Sequence, residues 1–148
     1  MELIRDALVA KVLNQTKEIH NIVDNVVVGA MSAPNARKFF RPGSLMIMPA
    51  DREDLIETAA APNETGAPTK LSGVVLTDDI RPSNRVMKII ESMPYPVLMT
   101  PEDSYQVAST VHDLIVKTRP GDVAKIALIR DLVKTHVHVS SIVDQTIR

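Results

Sequence analysis

Apolar residues recur along this chain at two spacings, and the alternation between them predicts the order of elements. Leu3, Ile4, Ala7 and Leu8 fall three and four apart, the spacing of one helical face, and predict an opening helix. Val9 to Leu13 read as a short extended run at a sheet edge, followed by a polar turn over Asn14-Gln15-Thr16-Lys17. From Val23 to Val28 β-branched residues dominate, which predicts a buried strand closing on Gly29-Ala30. Ser32 then caps a short helix with Pro34 in its first turn, where a missing N–H costs least, and the helix stops before Arg41-Pro42-Gly43.

The same rhythm repeats three times. Ser44 to Pro49 predicts a second buried strand, and Asp51-Arg52-Glu53-Asp54 opens a helix, with Asp51 and Asp54 spaced as in a capping box. The Pro-, Gly-, Asn- and Thr-rich stretch Pro62 to Ser72 predicts a long flexible loop. Gly73 to Thr77 is a third strand, and Pro82 begins a helix carrying Val86, Ile89, Ile90 and Met93 on one face until Pro94-Tyr95-Pro96 breaks it. Val97-Leu98-Met99 is a fourth strand, and Thr100-Pro101-Glu102-Asp103 supplies a hydroxyl cap, a first-turn proline and two carboxylates to a helix reaching Val116. After the Arg119-Pro120-Gly121-Asp122 turn, a last helix carries Val123, Ile126, Ala127, Ile129, Leu132 and Val133. Strands separated by helices, each strand nearly continuous in apolar residues, imply an α/β fold: three layers, with a mostly parallel sheet flanked by helices.

Composition narrows what such a fold can do. At 148 residues, 45% hydrophobic and 24% charged, the chain is expected to form a single domain over residues 1–148. Seventeen Lys and Arg against eighteen Asp and Glu leave a net charge of -1, so there is no basic field for nucleic acid. Cysteine is absent, which removes disulfides and thiolate metal sites and suits a reducing, cytoplasmic setting. No apolar run approaches the roughly 20 residues needed to cross a bilayer, so no membrane partner is expected. With aromatics at 3% and no Trp, stacking surfaces for sugars or bases are disfavoured.

Three predicted strand ends are polar in the same way: Asp51-Arg52-Glu53, Thr77-Asp78-Asp79, and Thr100 to Asp103. In a parallel sheet these ends share one rim, where ligands of open α/β sheets bind. One account makes Asp51, Asp79, Glu102 and Asp103 helix caps. The other makes Asp51, Arg52, Glu53, Thr77, Asp78 and Asp79 a small-ligand or divalent-cation site of convergent hard oxygens. His136 and His138 could present two imidazoles on one face, but two ligands fall short of the four of a structural zinc site, so no metal is assigned. His112 and His20 read as solvent-exposed. There is no Gly-x-x-x-x-Gly-Lys loop around Gly66, Lys70 and Gly73, no Gly-x-Gly-x-x-Gly, and no Ser, His and Asp in a nucleophile-elbow context. No catalytic residue and no cofactor are therefore assigned.

The segments Val26 to Ser32, Arg41 to Leu45, Asp51 to Asp54, Gly73 to Thr77 and Arg81-Pro82-Ser83 resemble the DRTGG domain. Pro96-Val97-Leu98, Asp103-Ser104-Tyr105 and Arg119 to Asp122 are similar to that domain as it occurs between the dethiobiotin-synthetase-like and transferase parts of long bacterial phosphate acetyltransferases. The resemblance covers residues 23–139. It implies a fold like the amino-terminal domain of HPr kinase, homodimers, and a regulatory or architectural role such as the family has beside CBS domains in pyrophosphatases. The chain departs from the family where Asp-Arg-Thr becomes Asp51-Arg52-Glu53 and Thr-Gly-Gly becomes Thr77-Asp78-Asp79. Glycines admit a close backbone approach and offer bare N–H groups to an anion, whereas aspartates crowd that approach and repel negative charge.

The resemblance and the missing chemistry together predict a non-catalytic regulatory or assembly domain. It would be homodimeric, associated with acetyl-phosphate or related metabolism and docked on a separately encoded enzyme, because the P-loop and acyltransferase parts of the parent-like enzymes do not fit within these residues. The alternative is a sensor module that binds a nucleotide, a small metabolite or Mg²⁺ at the rim.

Overall fold

A computed structural model of the chain describes residues 1–14, 19–62, 66, 70–116, 118, 121 and 123–137. Two compact units are present, Met1–Leu114 and Ile115–Arg148. The first contains α1 (Glu2–Ala7), β1 (Lys11–Val12), β2 (Asn25–Val28), α2 (Ala33–Ala36), β3 (Ser44–Pro49), α3 (Glu53–Ala60), β4 (Gly73–Thr77), α4 (Asn84–Ser92), β5 (Val97–Met99) and most of α5 (Ser104–Val116). A 3-10 turn, Arg37–Phe39, extends α2. The second unit contains α6 (Val123–His136).

The five strands form one sheet in the order β1-β5-β4-β3-β2. β2 to β5 run parallel, and β1 runs antiparallel to β5. The architecture is the mostly parallel α/β layering that the strand and helix rhythm predicts.

Alternation along the strands splits the core in two. Met46, Met48, Val74, Leu76, Val97 and Met99 face one side, against Ala36 of α2, Leu55, Ile56 and Ala59 of α3, and Val86 and Ile90 of α4. Leu45, Ile47, Val75 and Leu98 face the other, against Met1, Ile4 and Leu8 from α1 and its flanks and Val107 and Val111 of α5. Burial of this kind contributes roughly 1.5–3 kcal/mol for each large apolar side chain.

Several local expectations are corrected. β2 is not a buried strand: it lies at the sheet edge with Asn25 and Val28 exposed, because among the described residues only β3 pairs with it. Ser32 occupies the α2 N-cap position, but its hydroxyl accepts from the Asn35 side-chain amide and caps no backbone N–H. No Asp51–Asp54 capping box forms, since Arg52 is the α3 N-cap and takes the Asp54 carboxylate for itself. Helix α5 starts at Ser104, three residues beyond Pro101, and its cap is Asp103, whose Oδ1 accepts from the backbone N–H groups of Tyr105 and Gln106 at 2.8 and 2.9 Å. The Thr100 hydroxyl instead donates to the Leu8 carbonyl, tying β5 to α1.

Asn14, expected in a polar turn, is buried. Its amide donates to the carbonyls of Met93 and Tyr95, and its side-chain oxygen accepts the Val97 N–H. Of the apolar positions of α6, Val123, Ile129, Leu132 and Val133 are exposed. The rest of the polar turn after Asn14, most of the Pro62 to Ser72 loop and of the Arg119 to Asp122 turn, and His138 lie outside the described residues.

Candidate functional site

Each of β3, β4 and β5 ends in a polar loop on the same side of the sheet, so the rim expected from the sequence exists. Where along that rim a crevice opens depends on the helices. From β2 to β5 the chain moves one strand at a time in one direction, and right-handed crossovers then place α2, α3 and α4 on a single face. After β5 the chain turns the other way, into α5 on the opposite face. The loops leaving β4 and β5 therefore diverge, and this is the point on the rim that corresponds to the switch crevice of doubly wound sheets.

Thr77, Asp78 and Asp79 stand at this divergence. Thr77 is fully buried, and its hydroxyl lies 2.7 Å from Asp78 Oδ2 and 2.9 Å from Ser104 Oγ. With its one proton directed to the carboxylate, the proton between the two hydroxyls comes from Ser104, giving a chain Ser104 to Thr77 to Asp78. Backbone bonds close the floor: the Asp78 N–H donates to the Glu102 carbonyl at 3.0 Å and the Asp79 N–H to the Thr100 carbonyl at 3.1 Å. Asp78 and Asp79 both adopt positive φ, 70° and 47°, the left-handed region that short polar side chains tolerate better than most. Beside them, Glu102 Oε2 is buried without a hydrogen-bond partner among the described residues. Ile80, next after Asp79, and Tyr105, next after Ser104, are exposed, at 43% and 83% of their surface.

Asp51, Arg52 and Glu53 share the rim, at the end of β3. Arg52 grips Asp54 with two nitrogens at 2.9 Å and donates to the carbonyls of Gly29 and Met31 at 3.2 and 3.1 Å, so it braces the β2–α2 loop against α3. The Arg52 guanidinium holds the Asp54 carboxyl below its ordinary range, and Asp54 in return raises Arg52. Glu53 accepts the Ser83 backbone N–H at 2.6 Å and pairs with Arg85. The hydrogen bond from Ser83 leads in lowering its pKa.

The six residues singled out from the sequence thus lie on one rim in two groups. Their ion pairs leave Asp51, Asp78 and Asp79 exposed, with no cation partner among the described residues. Among those residues no three carboxylate or imidazole groups come together as a metal cage. Ser104 and Tyr105 were not singled out as site residues. The Asp103-Ser104-Tyr105 stretch belongs to the family resemblance, but only the turn of α5 onto the opposite face brings Ser104 to Thr77. No described helix is long and apolar enough to cross a membrane.

Comparison with known proteins gives a consistent picture. The DRTGG domain model matches residues 3–114, which is the first compact unit almost end to end and stops short of α6. A phosphate acetyltransferase of Nitratidesulfovibrio vulgaris is 28% identical over 145 residues, covering 96% of this chain and 21% of that protein. A phosphate acetyltransferase of Deinococcus radiodurans is 34% identical over 106 residues, covering 70% of this chain and 15% of that protein. The chain thus spans about a fifth or less of the length of these relatives. Among solved structures, the CBS and DRTGG domains of the regulatory region of Clostridium perfringens pyrophosphatase, complexed with the activator diadenosine tetraphosphate, align with TM-score 0.61 and 21% identity. That alignment covers 90% of this chain and 60% of that one, a likeness of fold.

Proposed function

The chain belongs to the DRTGG domain family, and from that premise we propose that it is a non-catalytic regulatory or assembly module, self-associating as a homodimer and acting in the cytoplasm on an enzyme of acetyl-phosphate or related metabolism. The observation that carries this reading is how the rim groups are engaged. Arg52, Glu53 and Thr77 hold loops of the chain to one another, while Asp51, Asp78 and Asp79 are exposed carboxylates with no ion pair among the described residues. Such a surface suits a partner's Lys or Arg side chains, and charge of this kind steers association and selects partners more than it adds affinity. Phosphate acetyltransferases are among the relatives that contain a matching segment, which supports the metabolic setting.

The test is direct. The purified chain is expected to show no acetyl transfer between acetyl-CoA and phosphate, and to bind a phosphate acetyltransferase with an affinity that falls as salt rises. Changing Asp51, Asp78 and Asp79 together to Asn should weaken that binding at least about tenfold, the equivalent of about 1.4 kcal/mol. Turnover by the isolated chain, or binding indifferent to salt and to the triple change, defeats the reading.

A second reading has its own support: a nucleotide or Mg²⁺-nucleotide sensor at the crevice between β4 and β5. The aligned pyrophosphatase region was solved with a nucleotide activator, and in this chain Ile80 and Tyr105, the chain neighbours of Asp79 and Ser104, are exposed. Against an anionic ligand stand Asp78 and Asp79, so a phosphate group would need a cation between. A thermal-shift series of adenine nucleotides with and without Mg²⁺ separates the two readings. A ligand at 100 times its dissociation constant should stabilise the fold by about 2.7 kcal/mol. No shift with any of them leaves the docking role alone.

A further inference from the structure

We infer that the outer edge of β2 is where two copies of this chain join, each β2 pairing antiparallel with the other so that two five-stranded sheets become one. The inference rests on the self-association in the reading above and adds its location. Hydrogen-bond parity comes first. Asn25 and Gly29 direct their N–H groups inward, to the carbonyls of Gly43 and Ile47 at 3.2 and 2.7 Å. In a parallel ladder the alternate residues, Val26 and Val28, then turn their N–H and C=O groups outward, and no described strand lies on that side.

The two edges of the sheet are defended unequally. β1 is two residues long, carries Lys11, and is preceded by Val9 at a φ of 47°, which ends the ladder. Short length, lysine and a backbone twist are the devices that keep an edge from pairing. β2, Asn25-Val26-Val27-Val28, has twice the length and neither charge nor proline. Two apolar side chains on or near this strand are exposed: Val28 at 40% and Phe39 at 43%. Ser44 Oγ places Phe39 next to the strand, donating to the Phe39 carbonyl at 3.4 Å while receiving the Asn25 amide at 3.3 Å.

A second copy fits this edge because the edge is self-complementary. A two-fold axis makes the new pairing antiparallel and the interface isologous. Centred on Val27, that pairing sets Val26 opposite Val28 of the other copy and Asp24 opposite Ala30, so no like charges face each other. The Val28 carbonyl already accepts from the Ala30 N–H at 2.8 Å, and its second lone pair remains for the partner strand.

The test uses the full chain. Light scattering after gel filtration should give twice the mass of one chain at micromolar concentration. Amide exchange should find the Val26 and Val28 N–H groups at least about 100-fold slower than open edge amides. Val28→Lys, with Val26→Pro as an independent variant, should yield monomers with unchanged helix and strand content. A dimer in which both edge amides exchange freely, or which survives both substitutions, overturns the β2 assignment while leaving self-association intact. A wild-type monomer overturns self-association itself. The exchange measurement on unmodified protein decides the matter if either variant fails to fold.

Discussion

Val9 holds a φ of 47° although its side chain is branched at Cβ. It occupies the position after the C-cap of α1, where the Ala10 N–H bonds to the Arg5 carbonyl and the Val9 N–H to the Asp6 carbonyl. That is the Schellman arrangement, which ordinarily takes glycine. At 86% exposed, Val9 gains almost nothing from packing to offset the strain. Val9→Gly is therefore expected to raise the unfolding free energy by about 1 kcal/mol in urea titration. Asp78 is a milder instance of the same geometry. Asp78→Gly and Asp78→Val both remove the acceptor of the Thr77 hydroxyl, but glycine suits the φ of 70°, so the valine variant should be less stable than the glycine variant by about 1–2 kcal/mol.

Tyr95 is buried and donates its hydroxyl to the Ala59 carbonyl at 2.7 Å, joining the β5 approach to α3. Burial raises its pKa above the ordinary phenol value. The folded state thus favours the neutral phenol, a contribution in full below the unfolded pKa of about 10 and lost as pH rises beyond it. Tyr95→Phe is expected to cost about 1–2 kcal/mol at neutral pH and to flatten the decline in stability above pH 10. An alkaline limb identical to that of the unmodified chain would contradict this.

Between elements, the brace formed by Arg52 is the contact that fastens the β2–α2 loop to the start of α3. Lysine keeps the charge but lacks the planar fork that reaches two carbonyls and a carboxylate together. Because the Asp54 side chain is 52% exposed, solvent screens the ion pair, and Arg52→Lys should cost only about 1 kcal/mol. The sign with pH follows from Asp54: its folded pKa is lowered, so its contribution is present above the unfolded carboxylate pKa and is lost as pH falls through the folded one. The variant should show a shallower loss of stability in acid, measured by urea midpoints across that range. Gly29 beneath the brace has no room for a side chain, as a Cβ there would sit 2.8 Å from Leu55 Cδ1.

For the whole molecule, the buried apolar core of the described residues runs from Met1 to Val111, inside the first compact unit. A chain ended after residue 118 is therefore expected to unfold cooperatively, with a thermal midpoint within a few degrees of the full chain. A broad or missing transition would show that the first unit does not fold by itself.

Apolar period and turn chemistry made the β3, β4 and β5 strands, their helices and the parallel layering legible from residues alone, because a strand buried on both faces must be apolar at nearly every position. The chain's membership in its family was legible too, in short stretches at strand ends. Three matters were decided only by the tertiary arrangement. One is that β2 lies at an edge, since Val26 to Val28 would read the same in the middle of a sheet. Another is what Arg52 braces, because the Gly29 and Met31 carbonyls reach it only once α3 lies beside the β2–α2 loop. The last is where the rim opens, which followed from α5 crossing to the face opposite α4. Local patterns encode what each segment buries, whereas neighbours across the sheet are set by chain direction and handedness, and no window of sequence contains them.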